Sequence, residues 1–205
     1  DGTMDYTTSN VASADISNLT VNAVTLPNNG SVTVTVDVTA SAQLGTLTSA
    51  ASGIGASAVT IEISGANGTD QLSFAASTHN SAIAVAINQV KGSTGVSATL
   101  SGAALKITST DYGSSQFVSV KTLSGTYLNG SDHGVDAQVN INGTQASVAG
   151  TVASVRTADL DVTVNLNSAF AQQTATGTSF AVTGGGARFQ IGSEVSQQGQ
   201  IQIGI

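Results

Sequence analysis

The sequence predicts a mainly β protein with one short helix, and three observations carry that prediction. Apolar residues make up 40% of the chain but aromatics only 4%, with no Trp, so the buried material must be Val, Ile, Ala and Leu. Together with 23 Gly and abundant Ser and Thr, that composition suits strands and tight turns. Apolar residues also recur at every second position in run after run. A single segment breaks this rhythm and carries its larger apolar residues at helical spacing.

Leu19-Thr20-Val21 and Val32 to Val38 alternate with period two and read as strands. Pro27-Asn28-Asn29-Gly30 between them predicts a tight hairpin, because Asn-Gly takes the positive φ angles such a turn needs. The same device is expected at Asn67-Gly68, between Val59 to Ile63 and Leu72-Ser73-Phe74, and at Asn142-Gly143, between Val139-Asn140-Ile141 and Ala146-Ser147-Val148. Leu105-Lys106-Ile107, Phe117 to Val120, Leu160 to Leu166 and Phe180-Ala181-Val182 complete the main strands. Over Ser81 to Lys91 the pattern changes: Ile83, Ile87 and Val90 fall at i, i+4 and i+7, one helix face with Ala86 beside it. Ser77 or Thr78 is expected to cap the start, Lys91 to suit the negative end of the helix dipole, and Gly92 to stop the helix. At the end of the chain Phe189/Ile191 and Ile201/Ile203/Ile205 alternate around a polar connection, Ser193 to Gly199, and predict a last hairpin.

The 205 residues suffice for one large domain or two small ones. Twelve acids against five bases give a net charge of −7, and Lys91, Lys106, Lys121, Arg156 and Arg188 are scattered. Nucleic acid is therefore not an expected partner, since phosphate binding needs clustered cations. The absence of Cys removes disulfides and thiolate metal sites. No run of 18 apolar residues occurs, no membrane partner is expected, and Asp1 opens no signal peptide.

Candidate chemistry is sparse. His79 and His133 have no metal-ligand spacing to a partner, and His79 is expected to be a solvated first-turn residue. Asp132-His133-Gly134-Val135-Asp136 offers the carboxylate and carbonyl oxygens that calcium takes, but two acids around a glycine in a polar loop are more simply a loop. Asp159 and Asp161 would share a strand face without the cleft that general acid–base work requires. No Gly-x-Ser-x-Gly occurs and Gly53-Ile54-Gly55 lacks the third glycine of a phosphate loop. Tyr6, Tyr112 and Tyr127 are too scattered for a sugar-stacking platform. Five Asn-x-Ser/Thr sequons start at Asn18, Asn29, Asn67, Asn129 and Asn142, and the Asn-Gly turn explains four of them without glycosylation. The expectation is a non-enzymatic chain with no catalytic, cofactor or metal residues.

Two resemblances give this reading a direction. Phe189-Gln190-Ile191-Gly192 and the strand after it resemble the hairpin of bacterial flagellins, in which Phe-Gln-Val-Gly, a polar turn and an Ile/Val strand follow Leu-Leu-Asp-Gly. This chain opens Asp1-Gly2-Thr3, so its ends resemble two halves of one flagellin motif with the intervening residues inserted between them. Residues from about Leu47 to Gly125 resemble the flagellin IN repeat, found in flagellins and hook-associated proteins. Its pieces here are Val59 to Phe74 around the Asn-Gly turn, Ile83-Ala84-Val85-Ala86-Ile87-Asn88, Thr94-Gly95-Val96-Ser97-Ala98 and Leu105 to Ser109.

The resemblance implies the variable outer (D2/D3-type) domains of a flagellin: a structural subunit of the motility filament, extracellular, carrying no cofactor. Two nested β-rich subdomains with both termini at one end are then expected. Residues 1–5 and 185–205 would form the stalk and hairpin, 6–45 and 126–184 an inner β subdomain, and 46–125 the outer IN-type subdomain. Partners would be other flagellin subunits, reached through terminal helices not in this sequence, and the isolated chain would be monomeric. A hook-associated or filament-cap protein, or a cell-surface adhesin β module, is the alternative.

Overall fold

The alternating runs form strands in a computed structural model, which describes residues 6–27, 30–50, 52–174, 177–184, 187–190 and 200–203. In chain order these contain β1 (Thr7–Ser9), β2 (Ile16–Val24), β3 (Val32–Ala40), β4 (Thr46–Thr48), β5 (Val59–Gly65), β6 (Gly68–Phe74), α1 (Asn80–Gln89), α2 (Lys91–Thr94), β7 (Val96–Ser101), β8 (Ala104–Ser109) and β9 (Phe117–Ser124). There follow β10 (Gly130–His133), β11 (Gln138–Ile141), β12 (Thr144–Gln145), β13 (Ser147–Ala149), β14 (Val152–Arg156), β15 (Leu160–Leu166), α3 (Ser168–Ala171), β16 (Gly177–Gly184), β17 (Ala187–Gln190) and β18 (Gln200–Ile203). The chain is mainly β, as its composition predicts. Where the sequence shows one helix, the described residues hold three, two of them single turns. The chain divides into two compact units, residues 1–41 with 137–205, and residues 42–136.

The first unit contains two larger antiparallel sheets, ordered β1-β16-β3-β11-β12 and β13-β14-β15-β2. Alternation sets which face each strand buries. In β3, Val34, Val36 and Val38 are buried while Thr33, Thr35 and Thr39 are exposed, and in β15 Leu160, Val162, Val164 and Leu166 are buried. Two expectations need correction here. Gly30 N–H does bond Pro27 C=O at 2.7 Å, so the chain reverses there, but β2 and β3 are not a hairpin. β2 pairs with β15 and β3 with β11 and β16; Asn28 and Asn29 lie outside the described residues. Around Asn142-Gly143, Ile141 faces Thr144 in the two-residue turn, with φ of 49° and 75°. That is the mirror-image turn predicted, but only Thr144-Gln145 pairs back, and Ser147–Ala149 leaves for the other sheet. Period two fixes the face of a strand and does not name its neighbour.

β2 is an edge strand, and it bulges twice. Asn22 and Ser17 are skipped in its register with β15, and both side chains reach back to that partner: Asn22 Nδ2 donates to Asp161 Oδ1 at 2.9 Å and Ser17 Oγ to Asn165 C=O at 3.0 Å.

Residues 42–136 form a four-stranded sheet, β10-β9-β5-β6, and a three-stranded sheet, β4-β8-β7, with α1 packed against β7 and β8. Gln43 and Val135 exchange two 2.9 Å backbone bonds, so the two ends of the unit are held side by side. Ile83 and Ile87 are fully buried, in one core with Ile61, Ile63, Leu105 and Ile107, and Val90 packs at its margin. The predicted apolar helix face is real, while Val85 on the other side is 59% exposed.

The helix ends differ from expectation. His79 is the N-cap and makes no side-chain cap bond, while Thr78 Oγ1 donates instead to Ala75 C=O. At the other end α1 stops at Gln89, Gly92 lies inside α2, and the left-handed residue is Gly95, φ 73°. Thr94 prolongs the helical path because its hydroxyl and its N–H both donate to Val90 C=O. The first turn of the repeat is shifted as well: Gly65 faces Gly68, so the two-residue loop is Ala66-Asn67.

β17 and β18 make a separate two-stranded sheet with Phe189 opposite Ile201. The predicted polar connection, Ser193 to Gly199, and the expected neighbouring termini at Asp1 and Ile205 lie outside the described residues.

Truncating Ile87 to Ala removes a buried side chain from the helix–sheet core and should cost about 2–5 kcal/mol of stability. Denaturant unfolding of the two forms measures it, and a curve superimposable on that of the unaltered chain would contradict the packing described.

Candidate functional site

The chain joins its secondary-structure elements through amides and hydroxyls that bond main chain, most densely within residues 42–136. Asn80, 5% exposed at the start of α1, makes two such bonds and a third to a side-chain hydroxyl. Its Nδ2 donates to Ala50 C=O at 3.0 Å and Ala103 C=O at 2.8 Å, and its Oδ1 accepts from the Tyr127 hydroxyl at 3.1 Å. Near the other end of the helix Asn88 pairs with one residue of β7: Ala98 N–H donates to Oδ1 at 2.9 Å and Nδ2 donates to Ala98 C=O at 2.8 Å. The Thr94 hydroxyl accepts from Val96 N–H at 3.2 Å. Ser49 Oγ accepts from Leu105 N–H and Ser109 Oγ from Gly45 N–H, both at 3.1 Å. Each neutral bond contributes about 0.5–1.5 kcal/mol net, but leaving such a buried group unmade costs more. No buried side-chain nitrogen or oxygen lacks a partner among the described residues.

The residues singled out for chemistry are engaged otherwise. Asp132 Oδ2 accepts from Thr46 N–H at 2.8 Å, whereas the Asp136 carboxylate accepts from the backbone and hydroxyl of Ser114. The two acids of the candidate calcium loop thus hold two different segments. No group of three or more His, Cys, Asp or Glu suited to a metal exists among the described residues. His133 lies against Phe117 with ring centroids 5.5 Å apart, and His79 is exposed at the helix start.

Asp159 precedes β15 rather than sharing its face with Asp161. It lines an open pocket of about 350 Å³ with Thr157, Leu160, Val155 and Ile141. Asp161 instead bonds Asn22 and pairs with Arg156 at 3.3 Å. Of the sequon asparagines, Asn142 forms the turn and Asn67 occupies the hairpin loop. Asn129 lies in the long connection between the paired strands β9 and β10 rather than in a tight turn, and its Oδ1 accepts from Thr122 N–H at 2.7 Å. Asn18 is a strand residue of β2. No helix among the described residues is long and apolar enough to cross a membrane.

Sequence reasoning missed Asn80, Asn88 and Tyr127 as organising residues. Asn88 was visible only as a letter of the repeat, because a bond to a strand ten residues away leaves no periodic mark.

Residues 60–111 match the family model of the flagellin hook IN motif. The IN-type repeat read from the sequence is therefore present, spanning β5 to β8 with its helices. No curated protein matches the chain. Among solved structures, the flagellar cap protein FliD D1-D2-D3 domains from Escherichia coli are similar, with a TM-score of 0.50 and 23% identity over 87% of this chain and 57% of that one. The FliD D2-D3 domains from Serratia marcescens give 0.51 and 20% identity over 80% of this chain and 95% of that one. FliD from Bdellovibrio bacteriovorus gives 0.51 and 14% over 77% and 97%. The chain thus spans little more than half of the E. coli structure, and at these identities the likeness is one of fold.

Burial raises the Tyr127 hydroxyl above its ordinary value of 10.0, opposed by a hydrogen bond from Ser49. The sign follows from linkage: above pH 10 the unfolded chain loses this proton while the folded one keeps it, so folding stability falls as pH rises through that window. Stability measured from pH 8 to 12 should decline on the alkaline side, and Tyr127→Phe should flatten part of that decline while weakening the Asn80 contact. An unchanged alkaline slope in the variant would contradict this account.

Proposed function

We propose that the chain is the surface-exposed outer part of a flagellin, a structural subunit of the extracellular bacterial flagellar filament, without catalytic activity. The observation that carries this reading is the hairpin at its C-terminal end. β17 and β18 form a sheet of their own, with Phe189 opposite Ile201, where the sequence resembles the flagellin Phe-Gln-Val-Gly segment. The IN motif at residues 60–111 supports the same organelle. In this reading residues 46–125 are the outer IN-type subdomain, 6–45 with 126–184 the inner one, and 1–5 with 185–205 the connection to the filament core. Assembly runs through other flagellar subunits and through helices outside this sequence, and the β units set surface chemistry rather than polymerisation.

The fold favours a second reading. The similar solved structures are flagellar cap proteins, and a cap would use the same IN motif at the filament tip.

Antibodies raised against residues 42–136 separate the two on intact cells that make the protein. Immunogold label along the whole filament is the expected result. Label confined to the distal tip would replace the flagellin reading with the cap, and label on the cell body away from filaments would favour an adhesin.

A further inference from the structure

The open pocket of the first unit has an apolar floor and a single charge at its mouth. Its volume of about 350 Å³ is bounded by residues of both larger sheets, at the ends of β3 and β11 and at the β14–β15 hairpin, and is of the size small ligands occupy. Ile141, Val155 and Leu160 are buried and form the floor, while Thr25, Thr144 and Asp159 are exposed at the mouth.

The turn that carries Asp159 is held from two sides. Thr157 N–H donates to Leu160 C=O at 2.8 Å, and the Thr157 hydroxyl accepts from Leu160 N–H at 3.1 Å. Thr25 N–H donates to Asp159 C=O at 2.9 Å, tying the end of β2 to the same turn. These bonds shape the pocket and leave the carboxylate out. Among the described residues the Asp159 side chain enters no hydrogen bond or ion pair. Arg156, three residues earlier, pairs with Asp161 instead, and Asp159 is the one charged residue of the lining.

We propose that this pocket binds a small organic amine, an alkyl- or arylalkylammonium ion that enters tail first. The lone carboxylate complements a cation, and the chain's net charge of −7 favours the same sign. The floor suits an apolar body, which gains by leaving water. A primary ammonium has three hydrogens to donate, and Asp159 with the hydroxyls of Thr25 and Thr144 offers three acceptors. The polarity of the pocket also decides between sources of that ammonium. A lysine side chain of another protein carries its charge at the tip and would push it onto Ile141 and Val155, where burial without a partner is costly. A free amine leaves its charge at the mouth. The inference stands apart from the choice between flagellin and cap.

The test is a titration of the isotope-labelled full chain, followed at its backbone amides by NMR, with isoamylammonium, isoamyl alcohol and isovalerate. These share one apolar skeleton and differ in charge. Isoamylammonium should give saturable shifts at Ile141, Val155 and Leu160, isoamyl alcohol the same shifts with weaker binding, and isovalerate the weakest binding of the three. Asp159→Asn should bring the ammonium down to the affinity of the alcohol, a loss of about two- to fivefold, the range of an exposed ion pair. Thr144→Trp, at an exposed position, sets a ring in the mouth and should abolish the binding of both. Should that variant not fold, Thr25→Trp, also exposed, carries the same comparison. No saturable shift at the floor, an ammonium bound no better than the alcohol, or a preference that survives Asp159→Asn would overturn the proposal.

Discussion

The fold depends on closing short sheets where no further strand is available. A strand that ends or lies at an edge leaves N–H and C=O groups that must be bonded, and this chain assigns much of that task to asparagine. Asn88 covers Ala98, and Asn129 accepts from Thr122 where β9 runs past the end of β10. In the first unit Asn142 bonds Thr35 twice from one residue past the end of β11: its own N–H donates to Thr35 C=O, and its Oδ1 accepts from Thr35 N–H. Asn is suited to this because its side-chain amide has the shape and polarity of a peptide group.

That reliance follows from composition. With 8% charged residues the chain has few ion pairs to place at its edges. The Arg156–Asp161 pair involves a guanidinium that is 87% exposed, so solvent screens it and its contribution to stability is small. Its structural meaning is clearer than its energy: Asp161 joins Arg156 on β14 to Asn22 at a bulge of β2, across three strands. Bulges guard the edge of β2 and side chains guard that of β7. Both measures spare charges, and both leave the outward surface rich in Ser, Thr and Asn.

The sequence was legible where one physical rule acts locally. Alternation placed the longer strands such as β2, β3, β5 and β15 but not β1, β4, β10, β12 or β14; the i, i+4, i+7 spacing placed α1 and its buried face, and Asn142-Gly143 specified its own turn. It was opaque where two rules compete or the partner is distant. Pro27 to Gly30 carries a hairpin signal, yet β2 pairs with β15 and β3 with β11 and β16, partners distant in sequence. Gly92 reads as a stop, yet the Thr94 hydroxyl bonds Val90 and delays the reversal to Gly95. α3 is four residues long, too short to leave a period. Of the candidate site, the acids Asp132, Asp136 and Asp161 were conspicuous and turned out to bond neighbouring strands and loops. The working residues were asparagines that composition counts as neutral background.

The asparagines also connect fold to function. Residues 42–136 begin and end at the mutual bonds of Gln43 and Val135, so their core is completed by strands lying between those two residues. Such a unit can vary in its turns and surface without disturbing the chain before Gln43 or after Val135, provided the clasp and the covered edges persist. In the proposed flagellar setting, where identical copies would stand close together, an open strand edge would be costlier than a modest loss of stability. A β module with covered edges suits that setting, whether it lies along the filament or at its tip. The core here is built of buried Val and Ile, while polar side chains bond main-chain groups that no neighbouring strand satisfies.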